Sequence, residues 1–457
     1  MLRKTRAYRI ARVAMLGMRV NRRYRRLRAR DAAGGRGADA EAWSRAHERT
    51  ATELHDLAID LEGLYIKLCQ IVGARGDVFP EPFTRILGRF HDSVPARPFA
   101  KLRPGVEAAL GRPLEDVFEH VDPEPLAAAS LAQVHRARLK DGQEVVLKVQ
   151  YPEVATLVRV DLGTLQRMSR RFMGRSSLFD AESLLEEMRH FLDLELDFER
   201  EAESTERVRR AFADDPRVRI PEVKRELSSR RLLVLEYLEG VPLTNSEALG
   251  SSGVDGRAFA ERIATLFAEM IFEQGFFHGD PHPGNLLLLP DGVVGLLDFG
   301  LAKELPEAFG PSMARLLAKT FTGDMDGALE AARAVGFNLD ELNPALLERI
   351  VKETMGGVER ARVRREASTD QATSEAGRAE RPRRSRSERR AEARQRQGEF
   401  EALAEGGEPI RIPPHFALVG RTVMLLDGLS DRLAPGEKVV QRTLFKALMP
   451  YAGAAMG

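Results

Sequence analysis

Apolar residues along this chain change period from stretch to stretch, and the changes mark its elements. From Leu54 they recur at Leu57, Ala58, Leu61, Leu64, Tyr65, Leu68, Ile71 and Val72. That i, i+3, i+4, i+7 spacing predicts one amphipathic helix of about five turns. Stepping 100° per residue gathers Gly63, Lys67 and Gln70 on its opposite face. Over 117–150 the pattern becomes β-like and ends in VVLKVQYP (Val145–Pro152), with Asp141-Gly142 as a hairpin turn just before it. Residues 181–210 read as a charge-rich helix, and RLLVLEYLEG (Arg231–Gly240) as a buried strand leaving into a linker. Residues 257–277 predict another amphipathic helix. Two short apolar strands follow, NLLLLP and VVGLLDFG, turning at Asp291-Gly292, and the remainder is mainly helical.

The order is helices, a β-rich lobe, a linker and a mainly helical lobe. That is an α+β fold with a site expected between lobes. The expected boundaries are a basic arm and linker over 1–50, a helical extension over 51–105, a first lobe over 106–240 and a second lobe over 241–457. Residues 357–399 stand apart in the second lobe. They are rich in Arg, Glu and Ser with almost no large apolar side chain, and are expected to be a solvated surface insert rather than a nucleic-acid site.

Composition narrows the picture further. A length of 457 residues with 43% hydrophobic side chains suits two or three packed lobes. The net charge of +1 points to no partner by itself. Cys69 is the single cysteine, so neither a disulfide within the chain nor a cysteine metal cluster is available. No uncharged apolar run reaches the roughly 18 residues of a membrane-spanning helix. Residues 1–30 carry twelve Arg or Lys and no acid, with Tyr8, Ala11, Met15 and Met18 at helical spacing. Three readings stay open there: a basic helix lying on an anionic membrane surface, a flexible basic arm, and a transit peptide. A cytoplasmic protein, peripheral on the inner face of a bacterial membrane, is the expected location.

The densest chemistry lies in HGDPHPGN (His278–Asn285), followed closely by LLDFG (Leu296–Gly300). Phosphoryl transfer needs a carboxylate to orient the attacking hydroxyl and oxygen ligands to hold magnesium on the phosphates. Asp280 and Asn285 have the Asp-x-x-x-x-Asn spacing of a kinase catalytic loop, and Asp298 of Asp-Phe-Gly is the second candidate metal ligand. His278 and His282 have no metal-ligand spacing and are read as architectural. Lys148 sits among β-branched residues on a strand, where a lysine is costly to bury unless paired. Upstream, a Gly-rich phosphate loop is absent. PLAAASLAQVHRA stands in its place, with Ala127, Ala128, Ala129 and Ser130 allowing close backbone approach but fewer left-handed conformations than glycine.

Together these motifs resemble the UbiB/AarF/ADCK atypical kinase family over roughly residues 50–445. The shared strings are the Ala-rich loop, VVLKVQYP, ELDFEREAES (Glu195–Ser204), LEYLEG, HGDPHPGN and LLDFG. The resemblance implies a two-lobed protein-kinase-like fold with an N-terminal helical extension packed over the active-site cleft. It implies that Lys148 contacts the nucleotide and pairs with Glu201, and that Glu236 to Leu238 form the hinge that meets adenine. Glu195 and Asp197 match the family's Glu-x-Asp element. KLCQ (Lys67–Gln70) matches its Lys-x-Gly-Gln motif with Cys69 in place of the glycine, which implies a pairing of Lys67 with Glu195. The implied cofactors are ATP or ADP with magnesium. The implied activity is ATP hydrolysis or small-molecule phosphorylation serving ubiquinone biosynthesis or lipid homeostasis, with a lipid or quinone precursor as a further ligand. A conventional Ser/Thr protein kinase and a nucleotide-gated scaffold without turnover are the alternatives.

Overall fold

The strand carrying Lys148 is covered on both faces, and its surroundings account for the apolar run around the lysine. The computed structural model describes residues 5–32, 40–74, 79–91, 94, 96–172, 189, 192–322, 324–341 and 413–455. The chain forms two compact units. The first comprises Met1–Arg210, Ile220–Glu239 and Asp298–Leu301, and the second Ala211–Arg219, Gly240–Leu297 and Ala302–Gly457.

The first unit begins with α1 (Arg6–Ala32), α2 (Ala40–Leu61), α3 (Leu64–Ala74), α4 (Glu81–Leu87) and α5 (Arg103–Leu110). Strands β1 (Phe118–Val121), β2 (Ala127–Ala128), β3 (Ala132–Leu139) and β4 (Glu144–Gln150) follow, then α6 (Val154–Phe172) and α7 (Phe198–Ala211). After β5 (Val218–Arg219), which belongs to the second unit, β6 (Leu232–Glu236) completes an antiparallel sheet of order β1-β3-β4-β6, with β2 on β3. The register sets Lys148 between Val134 and Leu233. Alternation along β4 sends Val145, Leu147 and Val149 into a core shared with Val106 of α5 and Val158 of α6. Val146 faces the other way, toward Leu233, Leu235, Phe198 and Ala202. Lys148 shares that second face. A sheet covered on both sides has no solvent face to alternate against, hence the near-continuous apolar string.

The single helix expected over 54–72 is instead two. Glu62 and Gly63 both adopt left-handed φ, 54° and 56°, which ends α2 at Leu61 and restarts the chain as α3 at Leu64. The Glu62 carboxylate is held by Arg97. The apolar periodicity runs through the break because both helices bury the same side in one cluster of Leu57, Ala58, Leu61, Tyr65, Ile66 and Cys69. Lys67 and Gln70 do share a face of α3, but Gly63 is no part of it.

Residues 6–32 are not a loose arm. Val13, Leu16 and Leu27 of α1 are buried, and Arg9 forms a buried ion pair with Asp161 of α6 while donating to the Leu61 carbonyl at 2.7 Å. Arg23 holds Glu53 of α2 at 2.9 Å. The apolar side of α1 is turned inward, and its exposed side carries Met15, Met18, Arg19, Arg22, Arg25 and Arg26.

In the second unit, β7 (Val241–Pro242), α8 (Ser246–Ser251) and α9 (Gly256–Phe272) are followed by β8 (Phe276–Phe277), β9 (Leu286–Leu288), β10 (Val294–Leu296) and β11 (Lys303–Glu304). Helices α10 (Phe309–Thr322), α11 (Met325–Ala334), α12 (Pro414–Leu433) and α13 (Val439–Ala455) complete it. Its sheets run β5-β10-β9-β7 and β11-β8. The helix expected over 257–277 stops at Phe272, and Gly275 at φ 61° turns the chain into β8. Asp255 caps α9 by accepting from the amides of Arg257 and Ala258. Phe259, Ile263, Leu266, Phe267 and Met270 make α9 the centre of this core. The hairpin of β9 and β10 pairs Leu286 with Leu296, and its turn residues Asp291 and Gly292 are both left-handed, as Asp-Gly turns favour. Among the described residues no helix is long and apolar enough to cross a membrane. The insertion read over 357–399 lies outside the described residues.

Candidate active site

The first unit places three charged side chains together. Lys148 Nζ donates to both carboxylate oxygens of Glu201 at 2.7 and 2.9 Å, and to Asp298 Oδ2 at 3.0 Å. Glu201 lies on α7, which packs on the Lys148 face of the sheet through Phe198 and Ala202. Asp197 starts that helix by accepting from the Arg200 amide at 3.2 Å. Burial pushes the Glu201 carboxyl up to about 7; Lys148 opposes the rise and the Asp298 charge adds to it. Burial also works against the Lys148 ammonium, but the Asp298 and Glu201 charges outweigh it and hold its pKa above the ordinary lysine value. Where Glu201 is ionised, two carboxylates face one ammonium, and the surplus negative charge suits a cation held at Asp298.

Asp298 adopts a left-handed φ of 58°, uncommon for a residue with a side chain. The Gly300 amide donates to its Oδ1 at 3.2 Å, Phe299 is fully buried, and Arg200 Nη1 holds the Gly300 carbonyl at 2.9 Å. A Cβ on Gly300 would lie 3.2 Å from Asp298 Oδ1, so glycine fits this turn best.

Lys67 of α3 pairs with Glu195, and Gln70, one turn on, donates to the Phe90 carbonyl at 2.8 Å. Cys69 is buried beside the apolar stripe, its Sγ 3.9 Å from the Leu54 carbonyl. The close backbone approach of α3 falls one turn later. A Cβ on Gly73 would lie 2.6 Å from the Gly88 amide nitrogen.

Ala127 and Ala128 pair with Val134 and Gln133, and the Ala129 amide donates to the Ala132 carbonyl at 2.8 Å. Ser130, at the turn, is buried. This Ala-rich hairpin is tied along its length. In the segment read as a hinge, the Glu236 amide donates to the Glu222 carbonyl at 2.8 Å and the Tyr237 amide to the Glu144 carbonyl at 3.0 Å. Two of the three amides between Glu236 and Leu238 are thus committed within the protein.

The second unit builds HGDPHPGN around a buried His278. Its Nε2 donates to the Leu297 carbonyl at 2.6 Å and its Nδ1 accepts from the Asp280 amide at 3.2 Å, which defines a neutral ring. Asn285 Nδ2 donates to the Asp280 carbonyl at 3.2 Å, directing its amide oxygen elsewhere. The Leu297 amide donates to the Asn285 carbonyl at 2.9 Å, so the hairpin sets Asn285 beside the residue that precedes Asp298 in the chain. His282 accepts from the Gly284 amide at 3.2 Å and caps the turn Pro283–Asn285. Among the described residues no three His, Cys, Asp or Glu form a metal-binding group. An Asp carboxylate with an Asn amide oxygen is still the hard-oxygen donor set that magnesium takes alongside phosphate.

Two residues of these clusters carry no sequence signal of their own. Arg421 Nη2 of α12 donates to Asp280 Oδ1 at 3.0 Å from 141 positions downstream. Arg200 lies within the charged string of α7, where only packing distinguishes it from its neighbours.

An α+β fold whose strand lysine is tied to a helix glutamate and to the aspartate of Asp-Phe-Gly defines a kinase-like protein. Comparison with known proteins agrees. Residues 89–332, more than half of the chain, match the ABC1 atypical kinase-like domain. The chain belongs to the ABC1 atypical kinase-like family, the family also called UbiB, AarF or ADCK. AarF domain-containing protein kinase 1 of Xenopus tropicalis is 36% identical over 289 residues, 62% of this chain and 55% of the relative. The chloroplastic protein ACTIVITY OF BC1 COMPLEX KINASE 7 of Arabidopsis thaliana is 36% identical over 271 residues, 59% and 39% of the two chains. The chain spans about half the length of the curated relatives it matches. The structure of Rv3197 from Mycobacterium tuberculosis, solved with erythromycin, matches with a TM-score of 0.53 at 23% identity, covering 90% of this chain and 98% of that one. That likeness is one of fold.

Proposed function

We propose that this protein binds a magnesium–adenine nucleotide and turns it over, as an ATPase or small-molecule kinase that supports isoprenoid-quinone or lipid metabolism at a membrane surface. The observation that carries this reading is the bonding of Lys148 to both Glu201 and Asp298. A lysine tied to two carboxylates is held charged and in place for phosphate oxygens. Magnesium held by this protein would supply positive charge to offset the negative charge that develops in transfer. Asp298 and the amide oxygen of Asn285 are its ligands in this reading, and Asp280 orients the attacking hydroxyl. Ala127 to Ser130 cover the phosphates, more stiffly than a glycine loop would. With the Glu236 and Tyr237 amides engaged internally, adenine is left to Leu238 and the remaining carbonyls of the segment. The pairing of Lys67 with Glu195 fastens α3 to the residues preceding α7 and favours a small acceptor over a protein substrate. Contact with a membrane would use the basic outer side of α1, since its apolar side is buried.

The test is magnesium-dependent phosphate release from ATP by purified protein, with and without anionic liposomes, beside Asp298→Asn. Release that drops about a hundredfold or more in the variant is expected. Equal rates for the two proteins in both conditions would overturn turnover. Strong transfer to peptide pools would favour a Ser/Thr protein kinase, and tight nucleotide binding without release would favour a scaffold.

A further inference from the structure

The loop that holds Asp280 contains no cation of its own. Between Asp280 and Asn285 stand only Pro281, His282, Pro283 and Gly284, and His282 serves as a cap. Transfer of a phosphoryl group at this point gathers negative charge close to a carboxylate that must keep one orientation. The cation at Asp280 is Arg421, and α12 is built to deliver it. Thr422, Leu426 and Leu429 form a buried i, i+4, i+7 stripe on that helix. Thr422 Oγ1 donates to the Gly279 carbonyl at 3.3 Å, and Gly279 takes a left-handed φ of 77° in the turn before Asp280. The neighbouring Arg421 is thereby held against Asp280 Oδ1, with its side chain 47% exposed. This contact occupies one carboxylate oxygen and leaves Oδ2 for an incoming hydroxyl.

We propose that Arg421 is a positioning residue for the reaction: it fixes the Asp280 carboxylate so that Oδ2 meets the attacking hydroxyl. The inference rests on the nucleotide turnover proposed above. In hydrolysis, water oxygen bonds to the terminal phosphorus, the bond to the bridging oxygen breaks with its electron pair leaving on ADP, and the water proton passes to Asp280. A carboxylate that rotates freely performs the last part less often, so losing Arg421 lowers turnover and not nucleotide affinity.

The experiment compares wild type, Arg421→Ala, Arg421→Gln, Arg421→Lys and Asp298→Asn. Each is measured for kcat and KM of magnesium-dependent phosphate release from ATP, for displacement of a fluorescent adenine nucleotide, and for thermal melting. Arg421→Ala and Arg421→Gln are expected to lower kcat about thirty- to a hundredfold with nucleotide affinity within about twofold and unchanged melting. Arg421→Lys, which keeps the charge without the planar fork, is expected to lose about tenfold. Wild-type kcat in Arg421→Ala and Arg421→Gln would overturn the positioning role while leaving nucleotide turnover standing. A loss confined to affinity, with kcat unchanged, would also overturn it. Wild type no more active than Asp298→Asn would overturn the turnover reading, and this inference with it. Where the neutral variants fail to melt cooperatively, Arg421→Lys decides: reduced kcat at unchanged affinity supports the role, and wild-type kcat overturns it.

Discussion

Glu201 is only 3% exposed, and its cationic partner among the described residues, Lys148, is shared with Asp298. The acid is therefore harder to ionise in the folded protein than in the unfolded chain, about 7 against 4.5. The folded state then holds an extra proton between those values, so the contribution of Glu201 to stability is full below about 4.5 and is lost as pH rises through about 7. Urea denaturation from pH 5 to 8 is expected to show that decline in the wild type and a flatter profile in Glu201→Gln. An unchanged slope in the variant would contradict it. At this scale, Lys148, Asp280, Asn285 and Asp298 stand in local strings whose spacing already suggests phosphate chemistry. Arg421 does not, because its partner is 141 positions away and only the packing of α12 joins them.

Helix α3 joins Lys67 to the rest of the first unit, and the critical small residue along it is Gly73 rather than position 69. A Cβ at 73 would meet the Gly88 backbone, whereas Cys69 rests beside the apolar stripe with space for its sulfur. Burial raises the Cys69 thiol to about 12, so it stays protonated and unreactive. Gly73→Ala is expected to cost about 1–3 kcal/mol in urea unfolding through overpacking. Cys69→Gly should cost about 1–2 kcal/mol, a few tenths through helix propensity and the rest through the buried side chain it deletes. Equal tolerance of both substitutions would place the close contact elsewhere. The break at Glu62-Gly63 was hidden from the hydrophobic pattern, because α2 and α3 bury the same side and their spacing carries on across the turn.

For the molecule as a whole, the membrane part of the proposed function rests on the exposed side of α1. Arg9 and Arg23 are engaged with Asp161 and Glu53, and Val13 and Leu16 lie in the core. What remains outside is mainly basic, with Arg19, Arg22, Arg25 and Arg26 along it beside Met15 and Met18. Binding to anionic vesicles should therefore be electrostatic and weaken with salt, at about 1 kcal/mol per basic residue. Changing those four arginines to glutamate is expected to reduce vesicle co-sedimentation at least about tenfold while leaving melting unchanged. Undiminished sedimentation would remove α1 from membrane contact.

Taken alone, the sequence determined the α+β kinase-like fold and the family. Both follow from information local in the chain: a change of hydrophobic period, turn-forming Asp-Gly pairs, and short strings whose residue types suit phosphate and magnesium. Tertiary structure decided what depends on distant residues meeting. It decided that α1 docks through a buried ion pair, that α3 begins anew at Leu64, that the backbone contact falls at Gly73, and that Arg421 reaches Asp280. Periodicity reports which side of an element is buried and not what it is buried against, so these pairings appear only once the elements are packed.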